Sequence, residues 1–178
     1  NGGGPIHKFE NKSLIRVDNS VEQKNQFGSA LFSHQNQIFM YGGYGFWAYK
    51  DYLTYFDFST NQWERHKFDS KNNFIPEGRW KPLFHKTKDT LYVLGGKSSH
   101  SKNTLIDKDL KDAFIIDFVS NTIDPIKKQI NPNLSLFSSS NNGFEFDGKK
   151  AYVTIDGITL FNFKKKIAVT FLKIKLEF

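Results

Sequence analysis

The sequence predicts an all-β protein built from repeated four-stranded antiparallel units. Aromatic residues make up 16% of the chain, with 19 phenylalanines among them, and aromatic side chains favour strands. A strand-like run that ends in a glycine doublet occurs twice, at Gly42-Gly43 and at Gly95-Gly96. The run that ends in the doublet is the second strand of the unit, and a third strand, a short polar turn and a fourth strand follow it, so the repeated unit contains four strands.

The first half of the repeat reads QIFMYGG at 37–43 and TLYVLGG at 90–96. From Gly42 to Gly95 is 53 residues, close to the length of about 50 residues typical of a four-stranded repeat. Glycine at the end of a strand permits positive φ and a close approach of neighbouring backbone. The doublets therefore indicate two places where the chain turns sharply against another segment.

The second half of the repeat reads YFDFSTNQW at 55–63 and IIDFVSNTI at 115–123. Both copies have an apolar–Asp–Phe core, a polar turn with Asn, and an apolar residue five positions after the Phe. A weaker third copy contains AYVT at 151–154, with Ile155-Asp156 at the place of the doublet. Near the N-terminus, Phe9 and Leu14 repeat the five-residue spacing, which predicts the last two strands of a preceding unit.

This ordered set of features resembles the kelch repeat, and the resemblance covers most of the chain. It implies a kelch-type β-propeller, a partial ring of four-stranded antiparallel blades. Residues 1–26 would be the last two strands of one blade, 27–77 and 78–130 two kelch blades, and 131–178 a degenerate one. The residues that carry the motif are Gly42, Gly43, Tyr55, Trp63, Gly95 and Gly96. About three and a half blades leave a propeller ring open, so we expect further blades from a longer chain or from a second copy.

Several functional classes find no support in the composition. The chain has no cysteine, which excludes disulfides, thiolate catalysis and cysteine-based zinc sites. The five histidines lack metal-ligand spacing, and no nucleotide-binding fingerprint occurs. We therefore predict no catalytic residue, no metal and no cofactor. The net charge is +7, but the lysines are scattered and only three arginines occur, which argues against a nucleic-acid partner.

No signal peptide is visible, and no run approaches about 18 apolar residues. We expect a soluble chain without a membrane span, and the sequence does not indicate its compartment.

The best candidate site is a set of aromatic residues in two loops that should share one rim of the propeller. Strand direction alternates within a blade, so the loop at 44–50 and the blade-joining segment at 69–80 should open on the same face. The candidates are Tyr44, Phe46, Trp47, Tyr49, Arg79 and Trp80. Exposed aromatic residues on a rigid scaffold are typical of recognition surfaces. Two alternatives stay open: the rings could pad the blade edges, and Arg79 could tie one blade to the next.

We therefore expect a non-catalytic interaction module that binds a protein, or a glycan, through this rim. The alternative is a carbohydrate-active propeller, because sialic acid mutarotases are similar in repeat type. In that case Asp51 and Glu77 would act with Arg79 on an acidic sugar.

Overall fold

The computed structural model describes residues 5–20, 25–69, 74–99, 107–126, 144–146, 149–154 and 157–161. Every regular element in these ranges is a strand, so the predicted all-β class is confirmed. The strands are β1 (His7–Glu10), β2 (Ser13–Arg16), β3 (Ala30–His34), β4 (Gln37–Tyr41), β5 (Tyr44–Gly45), β6 (Ala48–Tyr49), β7 (Leu53–Asp57), β8 (Gln62–Arg65), β9 (Leu83–Lys86), β10 (Thr90–Leu94), β11 (Lys97–Ser99), β12 (Asp107–Asp109), β13 (Ala113–Asp117), β14 (Thr122–Pro125), β15 (Phe144–Phe146), β16 (Lys149–Thr154) and β17 (Gly157–Phe161).

Two four-stranded antiparallel sheets form the centre of the described structure. The first sheet has the order β3-β4-β7-β8, and the second sheet has the order β9-β10-β13-β14. In each sheet the second and third strands are connected through a separate two-stranded hairpin, β5–β6 or β11–β12. The predicted repeat is therefore a repeat of structure as well as of sequence.

The two sheets have equivalent registers. Phe56 pairs with Trp63 in the first sheet, and Ile116 pairs with Ile123 in the second. The β4 and β10 strands begin 53 residues apart, whereas β7 and β13 begin 60 residues apart. The seven extra residues belong to the connection that carries β11 and β12. A longer hairpin connection at this point leaves the pairing of the sheet unchanged.

An aspartate at the end of the third strand closes the turn to the fourth strand in both sheets. Asp57 Oδ1 accepts a hydrogen bond from the backbone N of Ser59 at 2.8 Å, and Asp117 Oδ1 accepts one from Val119 N at 2.8 Å. Asn61 and Asn121 complete these turns with φ of 57° and 54°, a conformation that asparagine tolerates. The predicted strand–turn–strand element is confirmed in both copies.

One hydrophobic cluster joins the two sheets. Its members from the first sheet include Phe32, Phe39, Tyr41 and Leu53, and those from the second include Leu91, Val93, Phe114 and Ile116. Tyr41 meets Phe114 edge-on, with ring centroids 5.4 Å apart. Tyr55, which is half-buried, packs against the same cluster.

The opposite face of the first sheet packs against the segments that flank the β1–β2 hairpin. Met40, Phe56 and Trp63 form a buried cluster there, and Ile6 and Val17 cover it. Trp63 is therefore buried between the first sheet and the segments that flank the hairpin. The layers follow the order hairpin, first sheet, second sheet, and each apolar face inside this stack is removed from water.

The same backbone hydrogen bond links each layer to the next. Asn19 N donates to Asn61 O at 2.8 Å, and Asp69 N donates to Asn121 O at 2.9 Å. Both acceptors belong to the asparagine of a β-turn. The hairpin therefore lies against the first sheet as the outer strands of the first sheet lie against the second.

The third copy is described as a three-stranded antiparallel sheet in the order β15-β16-β17. The predicted strand at 151–154 lies within β16. Ile155-Asp156 and residues 127–143 and 162–178 lie outside the described residues.

We expect substitution of Gly43 in the glycine doublet to destabilise the fold strongly. Gly43 has φ of 98°, and an added Cβ would lie 2.7 Å from the carbonyl carbon of Gln26. Gly43→Ala should lower the free energy of unfolding by about 3 kcal/mol, from backbone strain and steric overlap together. Gly28→Ala is the control, because its nearest neighbour is the flexible Lys81 side chain at 3.1 Å. It should cost only about 1 kcal/mol in urea denaturation, and equal losses would contradict the close-approach argument.

The surroundings of His34 indicate that the stability of the protein depends on pH. Its ring lies 4.4 Å from the Phe118 ring, and Lys86 Nζ lies 3.3 Å from Nδ1. Burial, and then the positive charge of Lys86, lower the pKa of His34 below 6.5. The unfolded chain therefore binds the proton more readily, and this contribution to stability is complete above pH 6.5 and lost as the pH falls. The urea midpoint should decrease from pH 7.5 to pH 5. His34→Gln should reduce that decrease, whereas His7→Gln, at an exposed histidine, should leave it unchanged.

Candidate functional site

The β5–β6 hairpin carries most of the predicted rim. Residues 44–50, expected to form a loop, instead form a short ladder in which Tyr44 pairs with Tyr49 and Gly45 with Ala48. The ladder leaves two residues, Phe46 and Trp47, as the turn. The hairpin follows the Gly42-Gly43 doublet directly, so the sharp bend at the doublet sets its direction.

The turn has an unusual sequence for its conformation. Phe46 and Trp47 have φ of 48° and 61°, the two positive values of a type I′ turn, which Asn-Gly prefers. Bulky side chains in this region cost on the order of 1–2 kcal/mol each. Phe46 is nevertheless 61% exposed and Trp47 83% exposed. Burial of these two rings therefore does not offset the strain of the turn.

The base of this hairpin is held firmly. Phe27 and Tyr44 exchange two backbone hydrogen bonds of 2.8 Å, and the rings of Tyr44 and Tyr49 lie 5.2 Å apart. The Tyr49 hydroxyl donates to the Asp107 carboxylate of β12. Burial, followed by this hydrogen bond, raises the pKa of Tyr49 above its usual value. The Phe46-Trp47 turn thus projects from a fixed platform.

The second hairpin lies beside the first. Lys97 pairs with Asp109 in the β11–β12 ladder, and Lys108 Nζ lies 2.7 Å from a carboxylate oxygen of Glu77. The Tyr49–Asp107 hydrogen bond connects the two hairpins. Two successive repeats therefore present their hairpins at one edge of the structure.

Arg79 is buried rather than exposed at the rim. Its guanidinium donates two hydrogen bonds to Asp112, at 2.9 and 2.7 Å, and a third to Gly95 O at 2.9 Å. The guanidinium carbon also lies 4.7 Å from the centre of the Phe114 ring. Because Arg79 is 0% exposed, it has no surface to offer a partner. It ties the rim to the second sheet, the alternative role considered for it above.

The segment that ends at Trp80 lies against the residues that flank the first hairpin. Arg79 N donates to Lys50 O at 3.0 Å, and Gly43 N donates to Arg79 O at 2.6 Å. Trp80 exchanges two backbone hydrogen bonds of 2.9 Å with Lys97, and Lys81 Nζ lies 4.5 Å over its ring. Trp80 is half-buried, so it belongs to the support of the rim more than to its outer surface.

Phe27 is an exposed aromatic residue of the same edge that the sequence analysis missed. It bridges to Tyr44 as Trp80 bridges to Lys97, and the two residues are 53 positions apart. Phe27 is 55% exposed. The repeat offset applied to Trp80 would have identified it.

The carboxylates nearest this edge are engaged in ion pairs. Glu77 is paired with Lys108, and Asp112 with Arg79. In the ranges that the structure describes, no three His, Asp or Glu side chains are grouped closely enough to hold a metal ion. Nor does any described helix have the length and apolar character needed to cross a membrane.

Comparison with known proteins provides no assignment. No protein-family model matches the chain, and no curated protein matches its sequence.

We expect loss of the buried Arg79–Asp112 pair to lower the free energy of unfolding more than loss of a more exposed ion pair. Asp112→Ala would leave a buried guanidinium without its carboxylate, which should cost about 3 kcal/mol. The matched control is Asp109→Ala, which removes the more exposed pair with Lys97 at 3.7 Å and should cost less than about 1 kcal/mol. Urea denaturation of both variants measures the difference. A loss from Asp112→Ala no larger than that of the control would show that the pair does not hold the sheets.

Proposed function

We propose that the chain is part of a kelch-type propeller that acts as a non-catalytic interaction module. The support for the propeller is the repetition itself: two four-stranded sheets with one register, one inter-layer hydrogen bond and one placement of the glycine doublets. Blades of a propeller stack through such apolar faces.

The observation that carries the binding role is the exposed Phe46-Trp47 turn. A chain gains nothing in stability from two large rings that are both strained and open to water. Strained residues persist where function requires them, and Trp is enriched among the residues that dominate binding energy. The turn would insert its rings into an apolar pocket of a protein partner, with Phe27 and Tyr44 at the margin of the contact.

The other rim residues would support this contact. The Tyr49–Asp107 hydrogen bond orients the hairpin, Trp80 anchors the neighbouring segment, and Arg79 fixes the platform from below. A platform that is rigid before binding loses less conformational entropy when the partner docks.

A glycan is the second candidate, because the Trp47 ring is open to stacking and is 83% exposed. The carbohydrate-active alternative has less support. It would use Arg79 and Glu77, and both side chains already form ion pairs. These pairs favour binding over catalysis at this edge.

The turn permits a test in which stability and binding change in opposite directions. Replacing Phe46-Trp47 with Asn-Gly keeps the type I′ turn and relieves its strain, so the free energy of unfolding should rise by about 1–2 kcal/mol. The same variant should lose binding, measured as enrichment from a phage-displayed peptide library and as signal on a glycan array.

The matched control is Gln35-Asn36 replaced with Asn-Gly. This pair forms the β3–β4 turn with φ of 46° and 62°, so the geometry is the same but no aromatic ring is removed. The control should bind as the unchanged chain does. Retention of every bound peptide and glycan by the Phe46-Trp47 variant would contradict the proposed site. Whether the unchanged chain enriches peptides or gives signal on the glycan array distinguishes the two candidate partners.

A further inference from the structure

Lys81 occupies a backbone position that the preceding repeat fills with glycine. The β-bridge made by Trp80 in the second repeat corresponds to the bridge made by Phe27 in the first, 53 residues earlier. The residue after each bridge, Lys81 or Gly28, has positive φ, 49° for the lysine and 64° for the glycine. Glycine adopts this conformation without strain, whereas a residue with a Cβ does not. The second repeat therefore keeps a strained lysine at a position that suits glycine.

The backbone of Lys81 does not explain this choice. Every other described non-glycine residue with positive φ lies in a turn between two paired strands, whereas Lys81 lies between the Trp80 bridge and β9. Its N–H donates to Gly28 O at 2.7 Å, a hydrogen bond that glycine would make equally well. The side chain is therefore what distinguishes Lys81, and strained residues persist where function requires them.

The Lys81 side chain lies along Gly28 and ends above the Trp80 ring. Its Cγ would be 3.1 Å from a Cβ added to Gly28, and its Nζ is 4.5 Å from the centre of the Trp80 ring. Within the described ranges the ammonium group has neither an ion pair nor a hydrogen bond. An ammonium group has three donors, so these donors are open to a ligand.

The carboxylates of the same edge are engaged by other partners. Those of the second hairpin and its flanking segments bind as follows: Glu77 with Lys108, Asp109 with Lys97, Asp112 with Arg79, and Asp107 with the Tyr49 hydroxyl. Lys81 therefore keeps its charge uncompensated beside them. An uncompensated cation at a binding surface favours a partner of negative charge.

Lys81 belongs to the same surface as the Phe46-Trp47 turn. Gly28, its hydrogen-bonded neighbour, follows Phe27, and Phe27 exchanges two hydrogen bonds with Tyr44 at the base of the turn. Because neighbouring strands lie about 4.8 Å apart, the backbones of Lys81 and the turn lie within roughly 20 Å of each other. An extended segment of about six residues spans that distance.

We propose that Lys81 binds a carboxylate of an acidic protein segment whose apolar side chains contact the Phe46-Trp47 turn. The inference rests on the proposed function and adds the charge of the partner. Acidic sugars lack a large apolar group, and single-stranded nucleic acid is held by a groove lined with cations. A polypeptide with Asp or Glu close in sequence to a large apolar residue supplies both contacts.

The first test is selection of phage-displayed random dodecapeptides on the 178-residue chain. The selected pool should be roughly twofold richer in Asp and Glu than the starting pool, because an uncompensated cation selects anionic groups. Lys81→Asn removes the charge and tolerates positive φ, so it should lose this acidic excess and still select apolar residues. The matched control is Lys88→Asn, at an exposed lysine beyond the other end of β9, and it should keep the excess.

Reversing the charge gives the decisive result. Lys81→Glu should shift the selected pool from acidic to basic residues. A peptide selected on the unchanged chain and synthesised with a fluorophore should bind Lys81→Asn about tenfold more weakly, because a hydrogen bond between charged groups is lost. Fluorescence anisotropy measures this loss, and raising the salt concentration from about 50 mM to 500 mM should weaken binding to the unchanged chain more than to the variant.

Lys81→Gly separates the role of the side chain from that of the fold. It restores the residue type of the first repeat, so its urea midpoint should not fall below that of Lys81→Asn, and the acidic excess should again be lost. Selected peptides without an acidic excess, or an excess that survives Lys81→Asn, would overturn the inference and leave the proposed function standing. Failure to select any peptide would contradict both. Binding of acidic glycans or of a single-stranded oligonucleotide in place of acidic peptides would also overturn the inference.

Discussion

The buried Arg79 guanidinium is the interaction on which the described structure depends most. It donates two hydrogen bonds to Asp112 and a third to Gly95. The backbone of Arg79 also forms hydrogen bonds with Lys50 and Gly43 of the first repeat. One residue therefore joins the end of the first sheet to the end of the second. A guanidinium suits this position because its planar donors satisfy a carboxylate and a carbonyl together.

This tie explains why the Phe46-Trp47 turn can be strained. The turn stands on a hairpin whose neighbours are fixed from both sides, by the Phe27–Tyr44 ladder and by the Tyr49–Asp107 hydrogen bond. A free loop would relax to conformations with negative φ. A hairpin of only two residue pairs has no such freedom once its base is held, so the strain is supported by contacts elsewhere.

The layered arrangement also explains where apolar surface remains. Each layer covers the apolar face of the one before it, as in other repeat architectures. The first sheet is covered on one side by the second sheet and on the other by Ile6 and Val17. The outer face of the hairpin, with Phe9 and Leu14, has no comparable cover among the described residues. Exposed apolar side chains thus remain at the Phe46-Trp47 turn and on the outer face of the β1–β2 hairpin.

The sequence by itself determined the strand content, the four-stranded repeat, the asparagine turns and the packing of Tyr55 and Trp63, because these follow from local pattern and from glycine, aspartate and asparagine chemistry. It also brought the two rim segments together, since strand direction alternates. It did not separate exposed from buried members of the rim. Arg79 and Trp47 are both large loop residues in the sequence, but Arg79 is buried and pairs with Asp112, 33 residues away. The tertiary structure alone decided which rings face water, because burial depends on partners that are distant along the chain.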